Sequence, residues 1–415
     1  MGGSVPKYDL VVAGAGLGGL AVAALTNKSG KKVLILDSSA SLDAALGVRE
    51  FDGFRFFHGP TLSYGFEEGG AIHEIFSKLN NTPEVLKKIN RFQVALPDRR
   101  ITVSANQAET HDELKREFPR EIQSIEKLYR DIKKEAARIM KSRIAAYLAK
   151  RKSATGFLGK YHLSREFTIF LEIQSRFFFR KALSHLSLTK LITLIETMPT
   201  RFHGGTRALA DRLLAVLQND GGDILFVKGQ AEIAFKNGRP FAVRIDQQII
   251  ETNAILLDAP HQQLPTYFLG VLDDVLPVSM EQDVLYLPDY ARPDEFLAIE
   301  VSADNDISSA PMSARALTVS LQSPHGSQRD QDALIGPLEE IVPFLNENVF
   351  FIEPSPVISP SFKLSNDVIF KPIRSSDMQP LLFKTSKRHL YMLHDAQYMT
   401  VELMTAVNKF VETIL

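Results

Sequence analysis

The sequence of 415 residues contains neither cysteine nor tryptophan, and its charges nearly cancel. Without cysteine the chain has no disulfide, thiolate metal site, iron–sulfur cluster or cysteine nucleophile, so redox chemistry would need a bound cofactor. With 48 Lys and Arg residues against 49 Asp and Glu, the net charge of −1 provides no general attraction to nucleic acid. We therefore expect no nucleic-acid partner.

Long apolar runs and the common catalytic motifs are also missing. No segment reaches the length of about 18 apolar residues that predicts a membrane span. The chain enters a strand-like run so soon after Met1 that we expect no signal peptide and a cytoplasmic location. The ten His residues lack metal-ligand spacing, and neither a GxSxG elbow nor a Walker A sequence occurs. We expect no metal site.

The first forty residues carry the pattern of a dinucleotide-binding βαβ unit. Residues 8–13 form a short apolar, β-branched run, a glycine motif begins at Gly14, and residues 20–25 suit a helix. A second apolar strand at 31–36 ends in Asp37, 23 positions after Gly14. This order and spacing predict a turn that binds a dinucleotide, with a ligand-free glycine turn as the alternative.

Each residue type in this unit has a physical task. We expect Gly14 to permit the tight turn, Gly16 to let the backbone approach a pyrophosphate, and Gly19 to let the helix pack closely on the strand. The amides and dipole at the helix N-terminus attract phosphate. The Asp37 carboxylate would accept hydrogen bonds from a ribose. The motif alone does not distinguish NAD from FAD.

The segment that follows resembles a known family. Residues 47–61 include Arg49 and the stretch DGFRFFHGP, which ends in Gly59 and Pro60. This stretch is similar to the second FAD-contacting block of the phytoene desaturase and amine oxidase-like flavoproteins, in which an Arg and a Gly-Pro turn approach the flavin. The resemblance implies that FAD is the cofactor and that these three residues contact it. An ion pair of Arg49 with Glu50 or Asp52 is the alternative.

Further blocks follow in the order found in the family. They are residues 200–213, 221–227 (where the resemblance places Val227 near the adenine), 251–260, 302–311 and 389–397 (which includes Asp395, a further cofactor residue by resemblance). Three departures accompany them. Asp37 stands where the family usually has Glu, a Gly-Gly pair before Arg49 is absent, and His394 replaces the Gly before Asp395, with no Gly after it.

Together these patterns predict an α/β protein with a glutathione-reductase-like, FAD-binding Rossmann domain and a discontinuous substrate domain of antiparallel sheet plus helices. We assign residues 1–80, 200–258 and 365–415 to the FAD-binding domain. Residues 81–199 and 259–364 form the substrate domain, with its helical part at 110–199 and its sheet part at 259–364.

The helical part contains an unusual local composition. Residues 110–147 have the pattern of an amphipathic helix with a charged face. Eight basic residues lie between 133 and 152, just before a segment rich in Phe and Leu that extends to residue 194. Residues 133–195 could thus contact an anionic membrane as a peripheral protein and admit a lipophilic substrate. The alternative, which we favour, is that the aromatic residues fill a helical core.

Two hypotheses about function follow. The first is an FAD-dependent oxidoreductase, of the desaturase, dehydrogenase or saturase type, that transfers hydride between flavin N5 and a mainly apolar small molecule. The second is a redox-inactive family member that acts as a binding or partner subunit. His58 and His394 are weak catalytic candidates, with hydrogen-bonded packing as the favoured alternative. The sequence leaves open a homodimer or a partner protein.

Overall fold

The architecture is taken from a computed structural model. It describes residues 7–58, 61–81, 86–202, 204–245, 248–259, 264–304, 306–323, 331–355, 360–364, 368–373, 382–394 and 401–414. Its strands are, in chain order, β1 (Lys7–Ala13), β2 (Val33–Asp37), β3 (Arg49–Phe51), β4 (Phe54–Phe56), β5 (Leu62–Ser63), β6 (Leu86–Lys88), β7 (Arg91–Leu96), β8 (Arg99–Ser104), β9 (Thr200–Phe202), β10 (Asp223–Phe226), β11 (Ala231–Lys236), β12 (Arg239–Ile245), β13 (Gln248–Ala259), β14 (Thr266–Leu272), β15 (Asp283–Tyr286), β16 (Phe296–Val301), β17 (Ala314–Gln322), β18 (Val349–Pro354), β19 (Phe362–Lys363), β20 (Phe370–Pro372), β21 (Leu382–Thr385) and β22 (Leu390–His394).

The helices connect and cover these strands. They are α1 (Leu17–Lys28), α2 (Leu42–Ala45), α3 (Ala71–Lys78), α4 (Gln107–Glu117), α5 (Ile122–Lys141), α6 (Arg143–Arg151), α7 (Ala154–Leu158), α8 (Arg165–Phe179), α9 (Leu188–Glu196), α10 (Gly205–Asn219), α11 (Gln331–Glu339), α12 (Leu345–Asn348) and α13 (Val401–Ile414), with single 3₁₀ turns at Leu183–His185 and Asp273–Val275.

A parallel sheet forms the centre of the Rossmann-type part of the fold. Its strands run in the order β10, β2, β1, β13 and β22, and each pairs in parallel with the next. The strands β1 and β2 are rich in Val, Ile and Leu and are buried almost throughout, as expected of a sheet covered on both faces. On one face α1 packs between α10 and α13, and all of its residues from Leu17 to Asn27 are buried. This arrangement confirms the predicted Rossmann-type α/β fold.

The long strand β13 joins this parallel sheet to an antiparallel extension. Its first residues, 248–251, pair with β12, which in turn pairs with β11. Its last residues, 255–259, pair with β22 on the same side of the strand as β12. Residues 251–257 pair with β1 on the opposite side of the strand. One strand thus spans both parts of the ten-stranded sheet.

A second, seven-stranded sheet has the order β18, β14, β17, β16, β15, β7 and β8. The antiparallel strands predicted at 283–287, 296–301 and 314–321 are confirmed as β15, β16 and β17. The hairpin of β7 and β8 adds two strands to this sheet from outside the sheet part predicted at 259–364, and β7 pairs with β15 in parallel. Its strands are joined by Pro97 and Asp98, a turn pair.

The helices α4 to α9 cover part of this sheet around a second core. The single amphipathic helix predicted over residues 110–147 is wrong, because three helices occupy this range. Helix α4 ends just before Phe118, ahead of Pro119, and Ser142 separates α5 from α6 while its side chain caps α6. The aromatic residues of the following segment fill the core, as in the alternative that we favoured: Phe167, Phe170, Phe177, Phe178 and Phe179 are all buried.

Candidate functional site

The carboxyl ends of the five parallel strands gather residues from distant parts of the sequence. Gly14 follows β1, Asp37 ends β2, Val227 follows β10, and His394 ends β22. The fourth strand of this edge, β13, carries Asp258 one residue before its end. The Val227 amide donates to the Asp37 carbonyl over 2.7 Å. In open α/β sheets ligands bind in the crevice outside such carboxyl ends, so the fold places these predicted residues at one candidate site.

The glycine turn between β1 and α1 is built for close approach. Gly14 has a φ of +123°, a conformation that L side chains rarely adopt, and a Cβ there would lie 2.5 Å from the backbone oxygen of Asp258. A Cβ on Gly19 would lie 2.8 Å from the Gly14 carbonyl oxygen, so the helix does pack closely on the turn. Gly16 is the extended N-cap of α1 and has no side chain that could cap the first amides of the helix.

Two carboxylates accept hydrogen bonds from the amides of this turn. Asp37 Oδ2 accepts from the Ala15 amide over 2.6 Å, and Asp37 Oδ1 accepts from the Ser39 amide over 2.7 Å. Asp258 Oδ2 accepts from the Gly16 amide over 2.9 Å. Burial raises the pKa of the Asp258 carboxyl well above its usual range, although hydrogen bonds from the Gly16 and Gly19 amides oppose this effect. No role for Asp258 was predicted from the sequence.

The turn fits the nucleotide half of a dinucleotide. Gly14 and Gly19 have no side chains of their own, and the first amides and positive dipole end of the 12-residue helix α1 lie at the crevice, where the side chain of Asp258 contacts them. One buried carboxyl oxygen, Asp258 Oδ1, has no hydrogen-bond partner among the described atoms. A polar ligand group could satisfy this oxygen if it donates a hydrogen.

The residues expected nearer the flavin are described only in part. Arg49 lies in the hairpin of β3 and β4 with an exposed side chain, and its neighbour Glu50 pairs with Arg55 over 3.4 Å. Gly59, Pro60 and Asp395 lie outside the described residues. Their contacts, like the cofactor role of Arg49, stay predictions.

The two histidine candidates differ in environment. His58 is 1% exposed, shares a hydrogen bond through Nδ1 with the Ser355 hydroxyl, and has its pKa lowered by burial to about 4, so it is neutral at pH 7. His394 is half-buried, pairs in register with Ala259, and meets the Phe383 ring edge-on at 4.9 Å. Both environments have the packed character of the alternative that we favoured, and a catalytic role stays a prediction.

A polar cavity of about 110 Å³ lies beside the segment that resembles a flavin-contacting block. Phe57 and Thr61, on either side of the undescribed Gly-Pro pair, both line it. Gly205, at the start of α10, also lines it, and a Cβ there would lie 2.2 Å from the Phe57 ring. Four charged residues also line it, namely Arg55, Arg201, Glu300 and Asp306.

Arg201 and Glu300 belong to a charged cluster between two sheets. Asp283 on β15 and Glu300 on β16 are direct cross-strand partners, and Arg201 on β9 pairs with the buried Asp283 carboxylate. The Thr61 amide and hydroxyl each donate to Glu300 over 2.8 Å. Loss of water contact raises the pKa of Glu300 to about 7, an effect opposed by Arg201 and reinforced by Asp283. At neutral pH the cavity can therefore hold a proton on a carboxyl group.

The sequence analysis missed this cluster, although a signal was present. Asp283 begins an apolar run and Glu300 interrupts another, and a single acid in a buried strand needs a partner. The partner, Arg201, lies 82 positions away from Asp283 and is brought there by tertiary packing alone. Among the described residues no group of His, Asp or Glu side chains is arranged to hold a metal ion.

Sequence comparisons identify a family model and several relatives that match parts of this chain. Residues 12–79 match the family model of an NAD(P)-binding Rossmann-like domain. The chain is 32% identical over 127 residues to a chloroplastic prolycopene isomerase of Daucus carota, a match that covers 30% of this chain and 21% of the relative. It is 22% identical over 299 residues to a 4,4'-diapophytoene desaturase of Methylomonas sp, covering 66% and 58% of the two chains. The matched part of the chain thus spans about a fifth of the length of the Daucus carota relative.

Solved structures share the fold over nearly the whole chain. An oxidoreductase of Methanosarcina mazei covers 98% of this chain and 100% of its own at a TM-score of 0.66 and 15% identity. A cyclohexylamine oxidase of Brevibacterium oxydans covers 99% and 100% at a TM-score of 0.55 and 11% identity. At these identities the likeness concerns the fold. With the match to the Rossmann-like family model, it confirms the predicted Rossmann-type fold.

Proposed function

We propose that this chain, which groups with the phytoene desaturase and amine oxidase-like flavoproteins, is an FAD-dependent oxidoreductase acting on a mainly apolar small molecule. The observation that carries the proposal is the meeting of Gly14, Asp37 and Val227, from three separate segments, at one sheet edge. FAD would supply the hydride acceptor or donor at its N5 atom. The protein would hold and orient the reactants.

The residues at this edge have distinct proposed tasks. The amides after Gly14 and the dipole of α1 would attract the pyrophosphate, while Asp37 would accept from the ribose and Val227 would pack near the adenine. Arg49, Gly59, Pro60 and Asp395 are the proposed flavin-side contacts. The support for these four is their position in the motifs.

The polar cavity would bind a polar group of the mainly apolar substrate, or its Glu300 carboxyl group would accept a proton released from the substrate. Glu300 is held in place by Thr61 and has a pKa of about 7, so its carboxyl group can accept or donate a proton near neutral pH. His58 and His394 stay weaker candidates for proton transfer. The apolar remainder of the substrate is proposed from the relatives, which are named as a prolycopene isomerase and a 4,4'-diapophytoene desaturase.

Flavin uptake by a glycine variant tests the proposal. Gly19→Val would place side-chain atoms against the Gly14 carbonyl. Gly30→Ala is the control, because Gly30 follows the C-terminal end of α1 and a Cβ there meets no other atom within 4 Å. We expect the wild type and G30A to show flavin absorbance that bleaches with dithionite, and G19V to be colourless. The measurements are the visible spectrum after incubation with FAD and circular dichroism of each variant. A wild type that stays colourless would instead favour the redox-inactive binding subunit.

We also propose a peripheral membrane contact through a smaller group of residues than the predicted range 133–195. Eight exposed basic residues lie around the junction of α5 and α6: Lys133, Lys134, Arg138, Lys141, Arg143, Lys150, Arg151 and Lys152. Exposed apolar side chains of Met140, Ile144, Tyr147 and Leu148 lie among them, with Met140 89% exposed. We call this surface the α5–α6 corner. It offers apolar groups for the bilayer and positive charge for anionic headgroups.

The remaining expectations about partners and location stay proposals. No helix in the described parts of the chain is both long and apolar enough to cross a membrane. A cytoplasmic location, with or without attachment to a membrane, accords with the charged surface. A lipophilic substrate and a homodimer or partner protein stay predictions.

A further inference from the structure

The side chain of Asp258 occupies the position at which the turn after β1 would bind an anion. Its Oδ2 atom accepts from the Gly16 amide over 2.9 Å and is also hydrogen-bonded to the Gly19 amide. These amides belong to the N-cap and first turn of α1, whose dipole favours negative charge. A carboxylate bound there uses the same donors that a pyrophosphate would use.

The fit of Asp258 against the turn is tight. A Cβ on Gly19 would lie 2.5 Å from Asp258 Oδ2, and a Cβ on Gly14 would lie 2.5 Å from the Asp258 backbone oxygen. Residues 251–257 of the same strand pair with β1, which holds Asp258 beside the turn. The glycines therefore accommodate a side chain of the protein itself, a role that the sequence pattern alone does not separate from phosphate binding.

The charges near this position oppose a second anion. Asp37 lies at the neighbouring strand end, accepts from the Ala15 amide, and interacts unfavourably with Asp258. The other oxygen of Asp258, Oδ1, is buried without a hydrogen-bond partner among the described atoms. A pyrophosphate brought to these amides would face the acidic side chains of Asp37 and Asp258, of which Asp37 has a proposed use in binding the ribose and Asp258 has none.

We propose that Asp258 is a built-in competitor of the dinucleotide, which occupies the Gly16 and Gly19 amides in the free protein and must leave them for the phosphates to bind. This inference rests on the proposed function, since the ligand is taken to be a dinucleotide. Asp258 acts by accepting hydrogen bonds from these amides, so it is a positioning residue that determines the affinity for the dinucleotide. It takes no part in the chemistry.

Nucleotide affinity in matched variants tests this inference. Asp258→Asn keeps the shape of the side chain and removes its charge, and Asp258→Ala also frees the amides. We expect both variants to lower the Kd for ADP and for FAD at pH 7.5 by at least about tenfold, which corresponds to ~1.4 kcal/mol. Asp37→Asn is the matched comparison, because the same isosteric change on the neighbouring carboxylate should raise both Kd values. Isothermal titration with ADP and quenching of FAD fluorescence measure the constants.

Each outcome separates this inference from the proposed function. If the wild type takes up FAD and neither Asp258 variant binds more tightly, the competitor is refuted and the flavoprotein proposal stands. If only the Asp258 variants bind FAD or ADP, the competitor is supported and the natural chain is not a flavoprotein. If no variant binds ADP or FAD, both proposals are overturned. Thermal unfolding of the free proteins verifies that D258N is folded, and D258N decides the matter should D258A unfold.

Discussion

At the scale of single residues, the acidic pair in the polar cavity has the largest consequence. Asp283 and Glu300 are opposite each other on neighbouring strands, an arrangement that is unfavourable when both are charged. One cation, Arg201, pairs with Asp283, and loss of water contact raises the pKa of both carboxyls. The cluster therefore keeps a proton at pH values at which exposed carboxyls have lost theirs.

This retained proton predicts a pH-dependent stability. The pKa of Glu300 is about 7 in the folded protein against 4.5 for an ordinary Glu. The folded state therefore binds the proton more tightly than the unfolded state, which stabilises the fold fully below pH 4.5, and this stabilisation is lost as the pH rises through 7. Glu300→Gln should lack this loss, so that from pH 5 to pH 8.5 its unfolding free energy gains about 1–3 kcal/mol relative to the wild type.

Urea denaturation at several pH values measures this difference. Glu353→Gln on β18 of the same sheet is the control, because the Glu353 side chain is exposed and its variant should follow the wild type. If the unfolding free energies of E300Q and the wild type change in parallel with pH, the pKa of Glu300 is not raised in the folded protein.

At the scale of secondary-structure elements, the start of α10 combines backbone strain with close packing. Gly204 and Gly205 both have positive φ, at +76° and +62°. Gly205 also lies against the Phe57 ring, so this turn fixes the cavity wall relative to α10. Arg207 in the next turn pairs with Asp43 over 2.5 Å and links α10 to α2.

A pair of alanine variants separates these two effects. Gly221→Ala changes a glycine with φ of +83° and open space around it, so it should cost only the strain of a positive φ, about 1 kcal/mol. Gly205→Ala adds a clash with Phe57 and should cost about 1–3 kcal/mol more. Chemical denaturation gives both values. Equal losses would mean that the Phe57 ring moves aside without cost.

Elements with strong local patterns were predictable from the sequence. The strands β1, β2, β13 and β15 to β17 contain short runs rich in apolar and β-branched residues, and α1 follows a glycine turn, so their type is determined locally. The predicted long helix failed where Pro119 and the capping side chain of Ser142 interrupt the apolar period. The β7–β8 hairpin was missed because charged residues surround its Pro97-Asp98 turn.

The candidate site was predictable to the extent that it is local. The glycine turn and Asp37 lie within one βαβ unit, where spacing determines geometry. The hydrogen bond from Gly16 to Asp258 spans 242 positions, and the pairing of Arg201 with Asp283 spans 82. Such contacts depend on how β13 and β15 are placed in the complete fold, which no local pattern specifies.

At the scale of the whole molecule, a net charge of −1 conceals a strong local asymmetry. Residues 133–152 contain eight basic side chains and one acid, Glu135. The Phe-rich segment that follows is buried, so the apolar groups available to a bilayer in this region are those of the α5–α6 corner. Electrostatic attraction of about 1 kcal/mol per basic residue near an anionic surface would then add to apolar insertion.

Vesicle flotation tests this attachment. We expect the protein to float with vesicles containing 30% phosphatidylserine at low salt and not to bind vesicles of pure phosphatidylcholine. In ~1 M salt the protein should be released, because salt screens the charge of the headgroups. Ile144→Ser with Met140→Ser should reduce the bound fraction severalfold, whereas Val278→Ser, also fully exposed but remote in sequence, should not. Absence of flotation at low salt, or an equal effect of V278S, would refute attachment through this corner.

The convergence of strand ends at the sheet edge also has a consequence for biosynthesis. The edge draws on residues 14, 37, 227, 258 and 394, and residues 390–394 of β22 must pair with residues 255–259 of β13. Pairings across such sequence separations form late and slowly. On the ribosome, therefore, the free edge of β1 stays exposed until its partner β13, more than two hundred residues after Asp37, has been translated, and a chaperone that shields this edge would be most useful during that interval.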